Sequence, residues 1–275
     1  MDRATANPRK IAFEQVSCTF ELGGRPLRAV HEVSLDIAEG EFVTIVGPSG
    51  CGKSTLLNMA AGLQAASAGR VCVDGVAVQG TSPQRGVIFQ QYALFPWLTV
   101  AENVAFGLRI AGRPAAEREA TVARCLDLVG LTAFAGALPK TLSGGMKQRC
   151  AIARAYAMDP TVLLMDEPFG ALDALTRVRL QDQLLQTWQR EQRTVLFITH
   201  DVDEAVYLAS RVVVMAARPG RIQEVVDVDL PYPRTEAMRL SAAFADLRNR
   251  VWNAVHHQPS PDEEASASKP AEAST

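Results

Sequence analysis

The spacing of apolar and polar positions changes along this chain, and each change marks an element. Residues 11–16 (IAFEQV) and 28–37 (RAVHEVSLDI) alternate as strands, and 41–46 (EFVTIV) is a short apolar run that ends at a glycine. A glycine-rich segment then opens a helical pattern, KSTLLNMAAGL, closed by Gly62 and Leu63. VCVDG (71–75) and GVIFQ (86–90) read as strands. From Thr99 the period becomes helical: Thr99-x-x-Glu102 is a capping box for a helix to about Gly112. A second helix, from about Ala115 to Val129, puts Val122, Leu126 and Val129 on one face, and a third runs from about Gly145 to Met158.

After that helical stretch, strand and helix alternate again: VLLMD (162–166), a helix over 174–192, TVLFITH (194–200), a helix over 201–209 opened by Asp201-x-x-Glu204, and RVVVMAA (211–217). Such alternation predicts an α/β fold, a mainly parallel sheet covered by helices, with residues 99–158 inserted into it. Leu240, Phe244, Leu247, Val251 and Val255 are expected on one face of a final helix. Residues 1–10 are expected to be flexible. Residues 258–275, which lack any large apolar side chain, are expected to be disordered. No internal repeat divides the chain.

Composition narrows this picture. A 275-residue chain buries roughly 75% of its unfolded surface and needs no disulfide or metal staple. Lys plus Arg number 28 and Asp plus Glu 30, a net charge of −2, which argues against nucleic-acid binding driven by bulk charge. Cys18, Cys51, Cys72, Cys125 and Cys150 are scattered, with no C-x-x-C pair, and read as small buried residues in a reducing cytoplasm. No apolar stretch reaches the roughly 18–20 residues of a spanning helix, and no secretory signal is visible, so a soluble intracellular protein is expected.

Chemistry concentrates in four places. Gly47, Pro48, Ser49, Gly50, Cys51, Gly52, Lys53, Ser54 and Thr55 match G-x-x-x-x-G-K-[ST] between a strand and a helix, the context of a phosphate cradle. The glycines let backbone N–H groups turn toward a triphosphate at a helix N-terminus. Lys53 would reach the β- and γ-phosphates and the Ser54 hydroxyl would ligate Mg²⁺. Asp166 ends an apolar strand, at the crevice where α/β proteins bind ligands, and is placed to hold Mg²⁺ through water. Glu167 follows, placed to polarise the water that attacks the γ-phosphate. His200 ends the next strand and can reach the same crevice. Ser143, Gly144 and Gly145 open another helix whose free N–H groups suit a second phosphate, either of a second nucleotide or of a partner subunit's nucleotide.

These motifs together resemble the ATP-binding subunit of an ABC transporter over about residues 10–255. The elements that carry the resemblance are the Walker A loop 47–55, Gln90 in VIFQQYALFPW, LSGGMKQR, LLMDEP, Ala-Leu-Asp173 and His200. The resemblance implies one ABC ATPase domain over 11–257: a parallel-sheet core, an antiparallel β subdomain (about 10–40 and 70–80) and a helical subdomain (about 91–158). It implies a head-to-tail homodimer in which Ser143, Gly144 and Gly145 close over the partner's ATP and Asp173 makes a cross-dimer contact. Gln90 would touch Mg²⁺ and the route to the membrane partner. Phe20 falls where the family usually has a Tyr stacked on adenine, and keeps the π-face.

Residues 93–108, 166–177, 196–215 and the turn Arg218-Pro-Gly-Arg221 look like the nitrate, sulfonate and taurine importer branch. Bicarbonate, cyanate or thiamine-precursor import stays open beside it, as do an exporter cassette and a soluble ABC ATPase. Against the last, only about 52 residues separate Gln90 from Ser143, which leaves no room for a long coiled coil, and there is one cassette. The branch implies a membrane permease, a periplasmic solute-binding protein acting indirectly, and a peripheral position on the cytoplasmic face of the inner membrane. Aromatic residues between Tyr92 and Trp97 could line a groove for a permease helix.

Overall fold

A computed structural model describes residues 8–257 except 171 and 218. The expectations for residues 1–7, Arg218 and 258–275 lie outside the described residues. The strands are β1 (Arg9–Leu22), β2 (Arg25–Ala38), β3 (Phe42–Val46), β4 (Ala68–Val73), β5 (Val76–Ala77), β6 (Arg85–Ile88), β7 (Val162–Asp166), β8 (Thr194–Ile198), β9 (Arg211–Ala216) and β10 (Arg221–Asp227). The helices are α1 (Lys53–Ala61), α2 (Val100–Ile110), α3 (Ala115–Leu128), α4 (Gly144–Ala157), α5 (Ala174–Glu191), α6 (Val202–Leu208), α7 (Glu236–Arg239) and α8 (Ala242–His256).

Two sheets organise the chain. One is antiparallel, in the order β2-β1-β4-β5; the other has the order β10-β9-β3-β8-β7-β6, with β9, β3, β8, β7 and β6 parallel and β10 antiparallel at the edge. The parallel strands are apolar on both faces, as a sheet covered on both sides requires. In β8, Val195 and Phe197 enter one core while Leu196 and Ile198 enter the other. In β7, Leu163 and Met165 part from Val162 and Leu164 in the same way. One core lies under α1 and the antiparallel sheet; the other lies under α2–α6 and α8. Helices α2–α4 sit between β6 and β7 in sequence, as the change of period predicts.

The local signals are met closely where they are local. The Thr99 hydroxyl accepts from Glu102 N at 3.2 Å, and the Glu102 carboxylate accepts from Thr99 N at 2.7 Å, completing the capping box. Gly62 ends α1 in the left-handed conformation. All five cysteines are free and buried.

Four expectations need correction. Arg9 and Lys10, expected to be flexible, open β1, where Lys10 is buried and donates to the Asp74 carboxylate at 3.0 Å. VCVDG is a strand only to Val73: Asp74 and Gly75 both have positive φ and turn the chain back into β5, a hairpin for which Asp-Gly is the usual pair. Leu240 is not on the final helix. It caps α7 and is 88% exposed, because the Ser241 hydroxyl accepts from Phe244 N at 3.2 Å and starts α8 after it. Phe244 and Val251 are buried on that helix as expected, with Leu247 and Val255 packed beside them. The box at Asp201 is half formed. Asp201 accepts from Glu204 N at 3.1 Å, but the Glu204 side chain turns into the protein instead of back to the cap.

Candidate nucleotide site

The phosphate loop leaves β3 and closes on itself before α1 begins. Lys53 is buried, and its Nζ donates to the carbonyls of Gly47 at 2.8 Å and Pro48 at 3.0 Å. Gly47 has no room for a side chain: a Cβ there would come within 2.6 Å of the Met215 carbonyl oxygen and 2.9 Å of Cys51 Sγ. Gly52 has φ +90°, and a Cβ on it would meet Val30 Cγ2 at 2.7 Å. Strand β2 is therefore pressed onto the loop at Val30. Cys51 lies buried under the loop, where burial raises its thiol pKa. Ser49 and Gly50 are exposed, and Thr55 is half-buried. The start of α1 has no side-chain cap, so its first N–H groups have no side-chain partner.

Asp166 ends β7 and Glu167 follows it, and β7 lies beside β8, which neighbours β3. Burial pushes the Asp166 carboxyl above its ordinary range, against the opposing pull of the nearby Ser54 hydroxyl and Lys53 ammonium. Glu167 has a positive φ of 46°, uncommon outside glycine, and its N–H donates to the Ile198 carbonyl at 2.9 Å. That bond ties the end of β7 to the end of β8. The Glu167 carboxylate is the meeting point of the site: Gln90 Nε2 donates to its Oε2 at 2.8 Å, and His200 Nδ1 lies 3.3 Å from the same oxygen. Strand order β8-β7-β6 places these three residues side by side at the carboxyl ends, where a ligand crevice is expected. His200 lies two residues past the end of β8, with its ring largely exposed.

Other expected residues lie apart from this cluster. Ser143 caps α4, its hydroxyl accepting from Met146 N at 3.3 Å, and Gly144 and Gly145 form the first turn. Among the described residues no hydrogen bond joins this turn to the phosphate loop. Asp173 caps α5, accepting from Thr176 N at 3.0 Å, and the bond from Thr176 holds its carboxyl below the usual range. Phe20 lies on β1 opposite Leu27, near the end of the β1–β2 hairpin, and is 38% exposed. Aromatic side chains after Gln90 form a surface cluster: Phe95 is 4.3 Å from Phe106 and 5.7 Å from Trp97 between ring centroids, and Trp97 is 72% exposed.

Sequence reasoning missed the groups behind the site. Arg177, Thr199 and Glu204 share a small cavity with Glu167 and His200. The visible signal was Glu204 itself, three residues after Asp201, which the capping pattern explained too easily.

The family described as ABC transporter matches residues 30–170. A Brucella abortus (strain 2308) protein, named only for ATP binding, is 65% identical over 94% of this chain and 98% of its own length. The aliphatic sulfonates import ATP-binding protein SsuB of Bacillus cereus (strain ATCC 10987 / NRS 248) is 44% identical over 88% of this chain and 94% of its own. A solved dimer of the ATP-binding cassette MJ0796, in a post-hydrolysis state bound to ADP and Pi, superposes with a TM-score of 0.74 at 33% identity, covering 80% of this chain and 100% of that one. With the phosphate loop, the acidic pair and the histidine gathered as described, the chain belongs to the ABC transporter family as one of its ATP-hydrolysing cassettes.

Proposed function

We propose that this cassette powers import of a small anionic nutrient, of the taurine, alkanesulfonate or nitrate class, through a membrane permease. The observation that carries the chemistry is the convergence of Gln90, Glu167 and His200 on one carboxylate oxygen, beside Ser54 and Asp166. In this reading Lys53 exchanges the Gly47 and Pro48 carbonyls for β- and γ-phosphate oxygens, and the N–H groups of the loop bind the rest. Glu167 takes the proton of the attacking water, held in place by Gln90 and His200, and His200 contacts the γ-phosphate. Phe20 stacks on the adenine.

The donor set fits Mg²⁺, a hard cation that takes oxygen ligands: a hydroxyl (Ser54), an amide (Gln90) and a carboxylate (Asp166) all supply oxygen. Ser54, Gln90 and Asp166 would hold it, and when bound it neutralises charge on the β- and γ-phosphate oxygens.

The assembly follows from what the chain lacks over its own nucleotide. Ser143, Gly144, Gly145 and Asp173 would close over the ATP of a second copy, a reading supported by the dimeric cassette it resembles. The surface of Phe95, Trp97 and Phe106 would receive a permease helix. Among the described residues no helix is long and apolar enough to cross a membrane, which suits a peripheral subunit on the cytoplasmic face of the inner membrane. A periplasmic solute-binding protein would act through the permease, and nucleic acid has no part. The substrate class is supported by the 44% identity to a sulfonate-import cassette.

The test uses the Glu167→Gln chain with ATP and Mg²⁺. It is expected to sediment as a dimer and to retain a polytopic membrane protein from detergent-solubilised membranes of the source cell. Soluble partners alone would overturn the import reading. Cells without the chain should lose growth on an alkanesulfonate, taurine or nitrate as sole source of sulfur or nitrogen; undiminished growth on all three would overturn the substrate class.

A further inference from the structure

The loop carrying His200 is fastened from behind by buried hydrogen bonds that the mechanism above does not use. The His200 ring is 67% exposed and lies near one polar partner, Glu167, so its own contacts do little to fix it. The backbone on either side is fixed instead. Thr199 N–H donates to the Ile45 carbonyl at 3.2 Å, and the Thr199 hydroxyl oxygen accepts from Asp201 N–H at 3.0 Å. Glu204, 5% exposed on α6, faces the same small cavity as Thr199, and its backbone N–H donates to the Asp201 carboxylate at 3.1 Å.

From Glu204 the bonding continues away from the nucleotide. Gln181 of α5, 2% exposed, donates its Nε2 to Glu204 Oε1 at 2.8 Å and accepts at Oε1 from Arg239 Nη2 at 2.7 Å. Both neighbours determine the orientation of this amide: the carboxylate needs its NH₂ group and the guanidinium needs its oxygen. Arg239 closes the series on α7, its guanidinium 3.5 Å above the centre of the Tyr207 ring. The Gln181 amide is bonded at both its oxygen and its nitrogen, and a buried amide satisfied at both ends holds one orientation. Glu204 and Thr199 also line the cavity that reaches Glu167 and His200.

We propose that Glu204, acting through Asp201 and Thr199, is a positioning residue that sets His200 for its γ-phosphate contact, and that Gln181 and Arg239 connect this setting to the C-terminal helices. The proposal rests on the reading of His200 as the γ-phosphate contact.

Steady-state and single-turnover ATP hydrolysis of the full-length chain test it, with Thr199→Val, Glu204→Ala and Arg239→Met. Misplacing a reacting group by a fraction of an ångström is expected to lower kcat about tenfold in the first two and about threefold in Arg239→Met, with KM for ATP within about twofold. Thr199→Ser should restore the rate. In a His200→Ala background the same substitutions should cause no further loss, since they act through that ring. If Glu204→Ala does not fold, Thr199→Val and Arg239→Met carry the test. Unchanged kcat in folded variants, or an equal loss with and without His200, overturns the relay alone. Full turnover in His200→Ala overturns the relay together with the reading it rests on.

Discussion

The phosphate loop and the start of α4 are both helix N-termini with glycines, and they differ in how much of a site each contains. The phosphate loop is wedged between β2 and β9, with Lys53 buried and bonded to its own backbone and no side chain capping α1. Its orphan N–H groups are left for a ligand. At the α4 turn Ser143 is exposed and Gly144 and Gly145 are half-buried, and Ser143 spends its hydroxyl on capping the helix it begins. In the proposed function one region is a preorganised half of a site, and the other becomes a site only against a second molecule. The difference teaches that equal local chemistry acquires different roles from burial.

Four experiments would break or sharpen that contrast. The largest effect is expected from Glu167→Gln, which should slow hydrolysis roughly 10²–10⁴-fold while ATP still binds the preorganised half; full turnover would remove Glu167 as the base. Lys53→Ala deletes charge-assisted bonds worth about 1.5–3 kcal/mol each, so nucleotide affinity measured by calorimetry should fall at least about tenfold.

Ser143→Arg should separate the two regions. Hydrolysis should fall by about tenfold or more through loss of a trans contact, with ATP affinity of the isolated chain unchanged. Mixing this variant with Lys53→Ala should then restore activity, because one composite site in the mixed dimer is intact. No recovery on mixing would count against a shared site.

The smallest effects are in pH, and their signs are opposite. Asp173, on the side of the proposed partner, has a carboxyl held low by its cap bond. Its contribution to stability is present above the ordinary aspartate range and is lost as pH falls through the depressed value. Glu204, behind the phosphate crevice, has its carboxyl pushed up by burial. Its contribution is full below the ordinary glutamate value of about 4.3 and is lost as pH rises through the elevated one. Urea unfolding of Asp173→Asn and Glu204→Gln against the unsubstituted chain, across acid to neutral pH, should give differences that trend in opposite directions.

Much of the architecture was legible because its signals act over a few residues. Period-two runs, the Thr99 box and the helical stretch before Val162 placed nearly every element. The misses have the same origin. Asp74-Gly75 was read as the end of a strand although the pair is a hairpin turn, and Leu240 was assigned by spacing although Ser241 starts a new helix after it. Glu204 matched a capping pattern, and only the buried donor Gln181 explains why it turned inward.

What the sequence determined by itself is the inventory: a phosphate loop, an acidic pair after an apolar strand, a glycine-opened helix and a histidine two residues past another strand. These are local matters of turn geometry, periodicity and side-chain chemistry. Which of them meet was decided by tertiary structure alone. Gln90 and Glu167 are 77 residues apart and share a hydrogen bond because β6 lies beside β7, and His200 joins them because β8 lies on the other side. Strand order depends on which apolar faces bury together across the whole chain, and no window of sequence contains that information.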